Sequence, residues 1–203
     1  MRFWDGYKGS SFVELLETET PTLLANTSLR IDGAGELPVT SHGTTCVSMI
    51  FADGALIGAD RLATMGNQVA SREIEKVYAT DAHSLMAIAG AAGPAIEMAR
   101  LISVQFEHRE KIEGEPLELE GKANSLGQLI RQNLPAAMQG LAVVPLFAGF
   151  DLRRRIGRVW KYEITGGRYE ETEFDSVGSG SIFARESLKK GFKTGATREE
   201  AIR

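Results

Sequence analysis

Cysteine is almost absent from this chain of 203 residues: Cys46 stands alone. No intrachain disulfide can form, and a reducing, cytoplasmic setting is expected. Histidine is nearly as scarce. His42, His83 and His108 fall in three unrelated contexts, with no Ser-His-Asp pattern and no Cys/His cluster, so no metal site is expected. No apolar run approaches the roughly 20 residues that span a bilayer. The start, "MRFWDGYKGSSFVELL", lacks the basic region and unbroken apolar core of a secretory signal, so no membrane role is expected. An excess of positive charge is missing too. The 23 Lys and Arg against 27 Asp and Glu leave a net charge of −4. The short basic run at Arg153–Arg155 reads as a solvated loop, and nothing invites nucleic acid. Two Gly-rich stretches, "GAAGPA" and "GSGS", could pass for phosphate loops. Neither carries the Lys-Ser/Thr of a P-loop or βαβ spacing, so no cofactor is expected.

What is present suits one globular domain with a sizeable core, at 43% hydrophobic and 25% charged. Residues 1–43 stand apart. They hold one helical signal, "SSFVELLETE", where Ser11 and Glu14 fit a capping box and Phe12, Leu15 and Leu16 share a face. Beyond Pro21 the composition turns to Thr, Asn, Ser, Gly and Pro as far as Gly43. Two readings stay open for this segment: a mobile extension, or a propeptide.

From Thr44 the pattern becomes β. "TTCVSMIF" and "ALIGAD" form a hairpin about an Asp-Gly turn, and "EKVYATD" and "HSLMAIAG" form a second one. The next segment, "GAAGPAIEMARLISVQFEHREKI", is helical, with Ile96, Ala99, Ile102 and Phe106 on one stripe and Pro94 in its first turn. A second helix, "KANSLGQLIRQNLPAAMQ", is kinked or broken at Pro135. Strands return in "AVVPLFAGFD" and "GRVWKYEITG", and "FDSVGSG" leads into a third helix, "SIFARESLKKGF". Thr197 and Glu200 form a capping box for a last helix within about two turns of Arg203, so the domain of residues 44–203 is expected to be truncated at its C-terminal end. Helices cluster rather than alternate with strands. The expected fold is therefore α+β, a four-layer α/β/β/α sandwich of two antiparallel sheets.

The chemistry centres on "HGTT". A threonine hydroxyl needs a base, and a cut between Gly43 and Thr44 would give Thr44 its own free amine for that role. The unperturbed pKa of such an amine is roughly 7.7–8.0, so about a tenth or more is neutral at pH 7. A nearby cation would favour the neutral amine and a developing alkoxide, and a carboxylate would hold that cation. Asp60, ending the strand paired with that of Thr44, and Lys76, beginning the next hairpin, could converge there. Cys46 lies on the same face as Thr44 in an apolar strand and reads as core.

From "GTTCVS" through "GADRLATMGNQV", "REIEKVYATD", "IAGAAGPA" and "VGSGSIFA", the chain resembles a bacterial, actinobacterial-type 20S proteasome β-subunit. The resemblance covers essentially all of residues 44–203, and "SSFVELL" with the "HG" before the threonines resembles that family's propeptide. It implies an N-terminal nucleophile hydrolase fold and a threonine endopeptidase that removes residues 1–43 itself at the Gly43–Thr44 bond. By the same resemblance Thr44 is the nucleophile, and Asp60 and Lys76 are its acidic and basic partners. Ser179 hydrogen-bonds near the threonine amine, and the Gly90 backbone N–H helps form the oxyanion hole. A further family Asp would lie beyond Arg203. An extended peptide would pair near Thr64 and Ala92. Ala63, Ile74, Tyr78, Ile88, Ala92 and Ile96 would line the pocket for the residue before the cut, an apolar set without charge. Implied partners are other β-subunits in a seven-membered ring, an α-subunit ring, a ring-shaped ATPase acting through it, and protein or peptide substrates. The alternatives are a non-catalytic β-type ring subunit, which would usually lack the threonine or the lysine, a subunit of the simpler two-ring bacterial protease, and a small-molecule N-terminal-nucleophile amidase.

Overall fold

The computed structural model describes residues 11–19, 21, 43–65 and 68–203. The hairpin β1 (Cys46–Phe51) and β2 (Gly54–Ala59) turns at Ala52–Asp53, and β10 (Phe174–Val177) pairs with the other side of β1. This sheet has the order β10-β1-β2. Five strands form the second sheet in sequence order: β5 (Val77–Asp81), β6 (Ser84–Gly90), β7 (Val143–Asp151), β8 (Ile156–Tyr162) and β9 (Arg168–Glu171). All pairings are antiparallel, and β1 and β2 pack across β6, β7 and β8.

Strand β6 shows why the layers form. Its even residues, Met86 and Ile88, join a cluster with Ile102 and Phe106 of α2 (Ala92–Glu113) and Leu126 and Ile130 of α3 (Leu119–Gln132). Its odd residues, Ala87 and Ala89, meet Cys46, Leu146 and Val177 between the sheets. A strand with period-2 side chains buried on both faces must lie inside a sandwich. Helix α5 (Ser181–Gly191) packs on β10 and β1, completing four layers.

The expected α+β sandwich is therefore the observed one, with differences at its margins. Strand β1 starts at Cys46, so Thr44 and Thr45 precede it. A separate hairpin, β3 (Ala63–Met65) with β4 (Gln68–Ser71), and the polar strand β9 were not anticipated. Asn133 interrupts the second helical segment before α4 (Leu134–Ala137), which carries Pro135 near its start. The capping box of Thr197 and Glu200 opens α6 (Arg198–Ile202). Ser11 Oγ accepts the Glu14 N–H at 3.4 Å at the head of α1 (Phe12–Glu19), and Leu15 and Leu16 are buried. Most of the segment between α1 and Gly43, including His42, lies outside the described residues.

Phe147 is fully buried between Phe106 and Trp160, with ring centroids 6.4 and 5.9 Å away. Phe147→Ala should cost ~3–5 kcal/mol of stability. The denaturant midpoint should fall while the slope of the unfolding free energy stays the same.

Candidate active site

The hairpin register assembles the site. Because Cys46 pairs with Ala59, the residues just before one and just after the other lie side by side. Thr45 N–H donates to Asp60 Oδ1 at 2.6 Å, and Asp60 N–H donates to Thr45 O at 3.1 Å. Lys76 sits one residue before β5. Its carbonyl accepts the Ile88 N–H at 3.0 Å, which fixes its backbone to β6. The side chain, 8% exposed, projects to Asp60. Its ammonium lies 3.0 and 2.9 Å from the two Asp60 oxygens, 2.7 Å from Leu62 O and 3.2 Å from Gly43 O. Burial works against the Asp60 charge, but the N–H groups of Thr45 and Leu62 and the Lys76 ammonium outweigh it, so the carboxyl titrates below its ordinary value.

A second arm reaches Thr44 from the lead into α5. Thr44 N–H donates to Ser179 Oγ at 3.2 Å, and Ser179 Oγ and Gly180 N–H lie 3.4 and 3.3 Å from Thr44 O. Gly178 has φ +97°, and a Cβ there would lie 2.1 Å from Thr44 O, so only glycine permits this approach. Gly90 ends β6 opposite Val143 with φ +122°. A Cβ on it would strike Ala142 O at 2.1 Å.

Thr44, Lys76 and Gly90 border a cleft with Ala63, Ile74, Tyr78, Ile88, Ala92 and Ile96, the six residues expected to form the pocket. Thr64, the middle residue of β3, pairs with Val69. The expectation of an uncharged pocket needs correction. Glu75, an exposed acid, lines the cleft beside Lys76, and Ala95 joins the apolar wall. Glu75 lies in the irregular stretch before β5, where no periodicity reveals its direction. Tyr78 OH donates to the Glu75 carbonyl at 2.6 Å. Burial first, and Glu75 next, push that phenol above its ordinary value. On the far side, Thr44 and Gly90 also border an opening toward Gly140, Ala142 and Gly178. Cys46 is fully buried and burial pushes its thiol up to about 12, which leaves it inert as a nucleophile. Among the described residues no group of three or more His, Cys, Asp or Glu could hold a metal ion.

The sequence model of the proteasome subunit family matches residues 40–203. The chain belongs to the proteasome subunit family. It is 51% identical over 198 residues to the proteasome subunit beta of Acidothermus cellulolyticus, covering 96% of this chain and 68% of that protein. It is 51% identical over 195 residues to the proteasome subunit beta of Streptomyces griseus subsp. griseus, covering 95% and 68%. For the proteasome subunit beta of Jonesia denitrificans the identity is 50% over 193 residues, covering 94% and 64%. The chain thus spans about two thirds of the length of these relatives.

Within this family member, the ion pair of Asp60 and Lys76 also supports stability. Asp60→Ala leaves a nearly buried ammonium without its counter-charge and the Thr45 N–H without its acceptor, and should cost ~1–3 kcal/mol. The native carboxyl is held below its unfolded value, so its contribution is present above the ordinary carboxyl range. It is lost as pH falls through the lower native value. Stability curves measured from pH 7 to pH 2 should therefore steepen in acid for the wild type and flatten there for Asp60→Asn.

Proposed function

We propose that this chain is a β-type proteasome subunit and a threonine endopeptidase, activated by self-cleavage between Gly43 and Thr44. The observation carrying this reading is the Lys76 ammonium, which bonds at once to Asp60 and to the Gly43 carbonyl, directly before a threonine. An ammonium has three donors and no acceptor. In the uncleaved chain it polarises the carbonyl to be attacked and stabilises the negative charge that develops on its oxygen.

In the first reaction Thr44 Oγ forms a bond to the Gly43 carbonyl carbon and the bond from that carbon to Thr44 N breaks. The hydroxyl proton ends on the departing nitrogen. Water then hydrolyses the resulting ester, which frees the Gly43 carboxylate and restores the Thr44 hydroxyl beside a free amine. In the second reaction that amine takes the hydroxyl proton as Oγ attacks a substrate carbonyl carbon. The substrate C–N bond then breaks, the proton passes to the leaving amine, and water hydrolyses the ester to free the new carboxylate and restore the Thr44 hydroxyl. Ser179 Oγ, already 3.2 Å from the same nitrogen, orients it. Gly90 borders the cleft where the oxyanion forms, and its backbone N–H serves as the donor there.

Residues 1–43 are the propeptide in this reading, and the substrates are unfolded proteins and peptides bound along β3 and the start of α2. The subunit works in a seven-membered β-ring stacked on an α-ring, fed by a ring-shaped ATPase, in the cytoplasm. No helix among the described residues is long and apolar enough to cross a membrane. The presence of both Thr44 and Lys76 weighs against a non-catalytic ring subunit.

Thr44→Ala should leave residues 1–43 attached and abolish peptidase activity in the assembled particle. Intact mass and a fluorogenic peptide read the two effects. Self-cleavage by that variant would sink the mechanism. Lys76→Ala should fold and assemble but lose turnover by roughly 10²-fold or more, the scale of one removed oxyanion donor. Normal turnover by a correctly processed Lys76→Ala particle would remove Lys76 from the chemistry.

Cleavage preference follows from the cleft walls. An apolar side chain gains up to roughly 1.5–3 kcal/mol by burial there, whereas an unpaired charge loses hydration worth several kcal/mol. Peptides ending in Leu, Phe or Tyr before the cut should turn over at least about tenfold faster than those ending in Asp, since about 1.4 kcal/mol is a factor of ten. Glu75 at the cleft places Arg between these two. A panel differing only at that residue tests the order, and faster cutting after Asp would refute the pocket.

A further inference from the structure

Helix α5 is lightly embedded. None of its 11 residues is buried, and Ile182 and Phe183 near its start are 73% and 80% exposed. Apolar burial thus does little to decide where it sits. Yet the turn at Gly178–Gly180, which leads directly into it, brings Ser179 to the Thr44 nitrogen. Something polar must hold that turn in place.

The structure supplies a charged tie at the open edge of the sandwich. Asp175, in edge strand β10, is 5% exposed. Its Oδ2 lies 2.8 Å from Lys161 Nζ on β8, across the gap between the sheets. Its Oδ1 lies 2.8 Å from Arg185 Nη2 on α5 and accepts the Ser176 N–H at 2.7 Å. Arg185 Nη2 also donates to Ser176 O at 3.2 Å, and Ser176 Oγ donates to Ser181 O at 2.8 Å. The chain just before the turn and the helix just after it are therefore fastened to each other and to the five-stranded sheet. The segment between them is three residues long and carries Ser179.

We propose that Asp175, acting with Arg185, is the positioning residue that holds the Ser179 hydroxyl against the Thr44 nitrogen. It touches no reacting atom and acts only through the turn. The proposal rests on the reading of Thr44 as nucleophile. Removing the carboxylate charge is tolerable for the fold: Lys161 and Arg185 are 30% and 41% exposed and can hydrate. The far end of α5 keeps its own anchor, Phe192 against Phe174 with ring centroids 5.2 Å apart. The hydrogen-bond and ion-pair partners of Asp175 include none of the residues that line the apolar cleft, so substrate binding should be left alone.

The test uses assembled particles carrying Asp175→Asn, Arg185→Ala or Arg185→Lys, with wild type in the same assay. Turnover of an apolar fluorogenic peptide and the rate of Gly43–Thr44 self-cleavage are measured for each. A misplacement of 1 Å can cost about 10²-fold, so a loosened turn should lower kcat roughly three- to tenfold with KM within about twofold. Arg185→Lys, which keeps the charge, should recover part of the loss. In a Ser179→Ala background, Asp175→Asn should lower turnover and self-cleavage no further, because residues acting through one contact are not additive. Multiplying effects in that background, or unchanged kcat in both Asp175→Asn and Arg185→Ala beside an active wild type, would overturn the positioning role and leave the Thr44 mechanism standing. An inactive wild-type particle would instead overturn the mechanism. Should Asp175→Asn not assemble, Arg185→Ala carries the same test from a more exposed position.

Discussion

A nearly buried ammonium sets the terms for the rest of this site. Lys76 is taken from water on one side by β5 and β6 and on the other by the entry to β1, and an uncompensated cation there would cost several kcal/mol. Four oxygens answer it, from Asp60, Leu62 and Gly43. Asp60 does more than neutralise: it also accepts the N–H groups of Thr45 and Leu62. The ion pair therefore fixes how the chain enters β1 and how it leaves β2. Thr44, the proposed nucleophile, stands at that entry. The charge and the backbone path cannot be separated.

The ion pair flanks Thr44, through Gly43 and Thr45, because of how β6 is packed. Bulky Met86 and Ile88 face the helices, whereas the small Ala87 and Ala89 face the other sheet. Small residues on that inner face let β1 come close over β6 with Cys46 between them. The end of β6, at Gly90, is thereby carried to the head of β1, and both border one cleft. Packing that looks purely structural thus brings Thr44 and Gly90, the proposed nucleophile and oxyanion donor, to one cleft.

The alternation and turn signals that define β6, β7 and the first hairpin are local, so the sandwich was legible from sequence. Strand β9 was not, because "RYEE" has no apolar face of its own. It is held by pairing with β8 and by Arg158, whose guanidinium meets Glu170 at 2.6 Å and Asp151 at 3.1 Å. The short hairpin of β3 and β4 likewise lacks a clear period. At the site, Asp60 and Lys76 could be brought to the head of β1 from hairpin placement and the need for a cation held by a carboxylate, while Ser179 and Gly90 needed the family likeness. Glu75 and Asp175 escaped both routes. Glu75 sits in irregular chain, and the partners of Asp175, Lys161 and Arg185, lie 14 and 10 positions away in sequence on other elements.

The two arms around Thr44 differ in kind, and the difference suits the two reactions proposed for this site. The Lys76 arm grips the chain on the side of Gly43, so in the proposed self-cleavage it would lose one oxygen partner. The Ser179 arm holds Thr44 N and Thr44 O, atoms that belong to the threonine before and after cleavage. In the proposed reaction sequence one arm would be rebuilt by the first reaction and the other would persist through it. A rigid, charge-packed arm tolerates the loss of a partner because Asp60 and Leu62 still hold the ammonium. The lightly buried arm, which must keep its grip unchanged, has little apolar packing to rely on and depends on polar ties at the sheet edge.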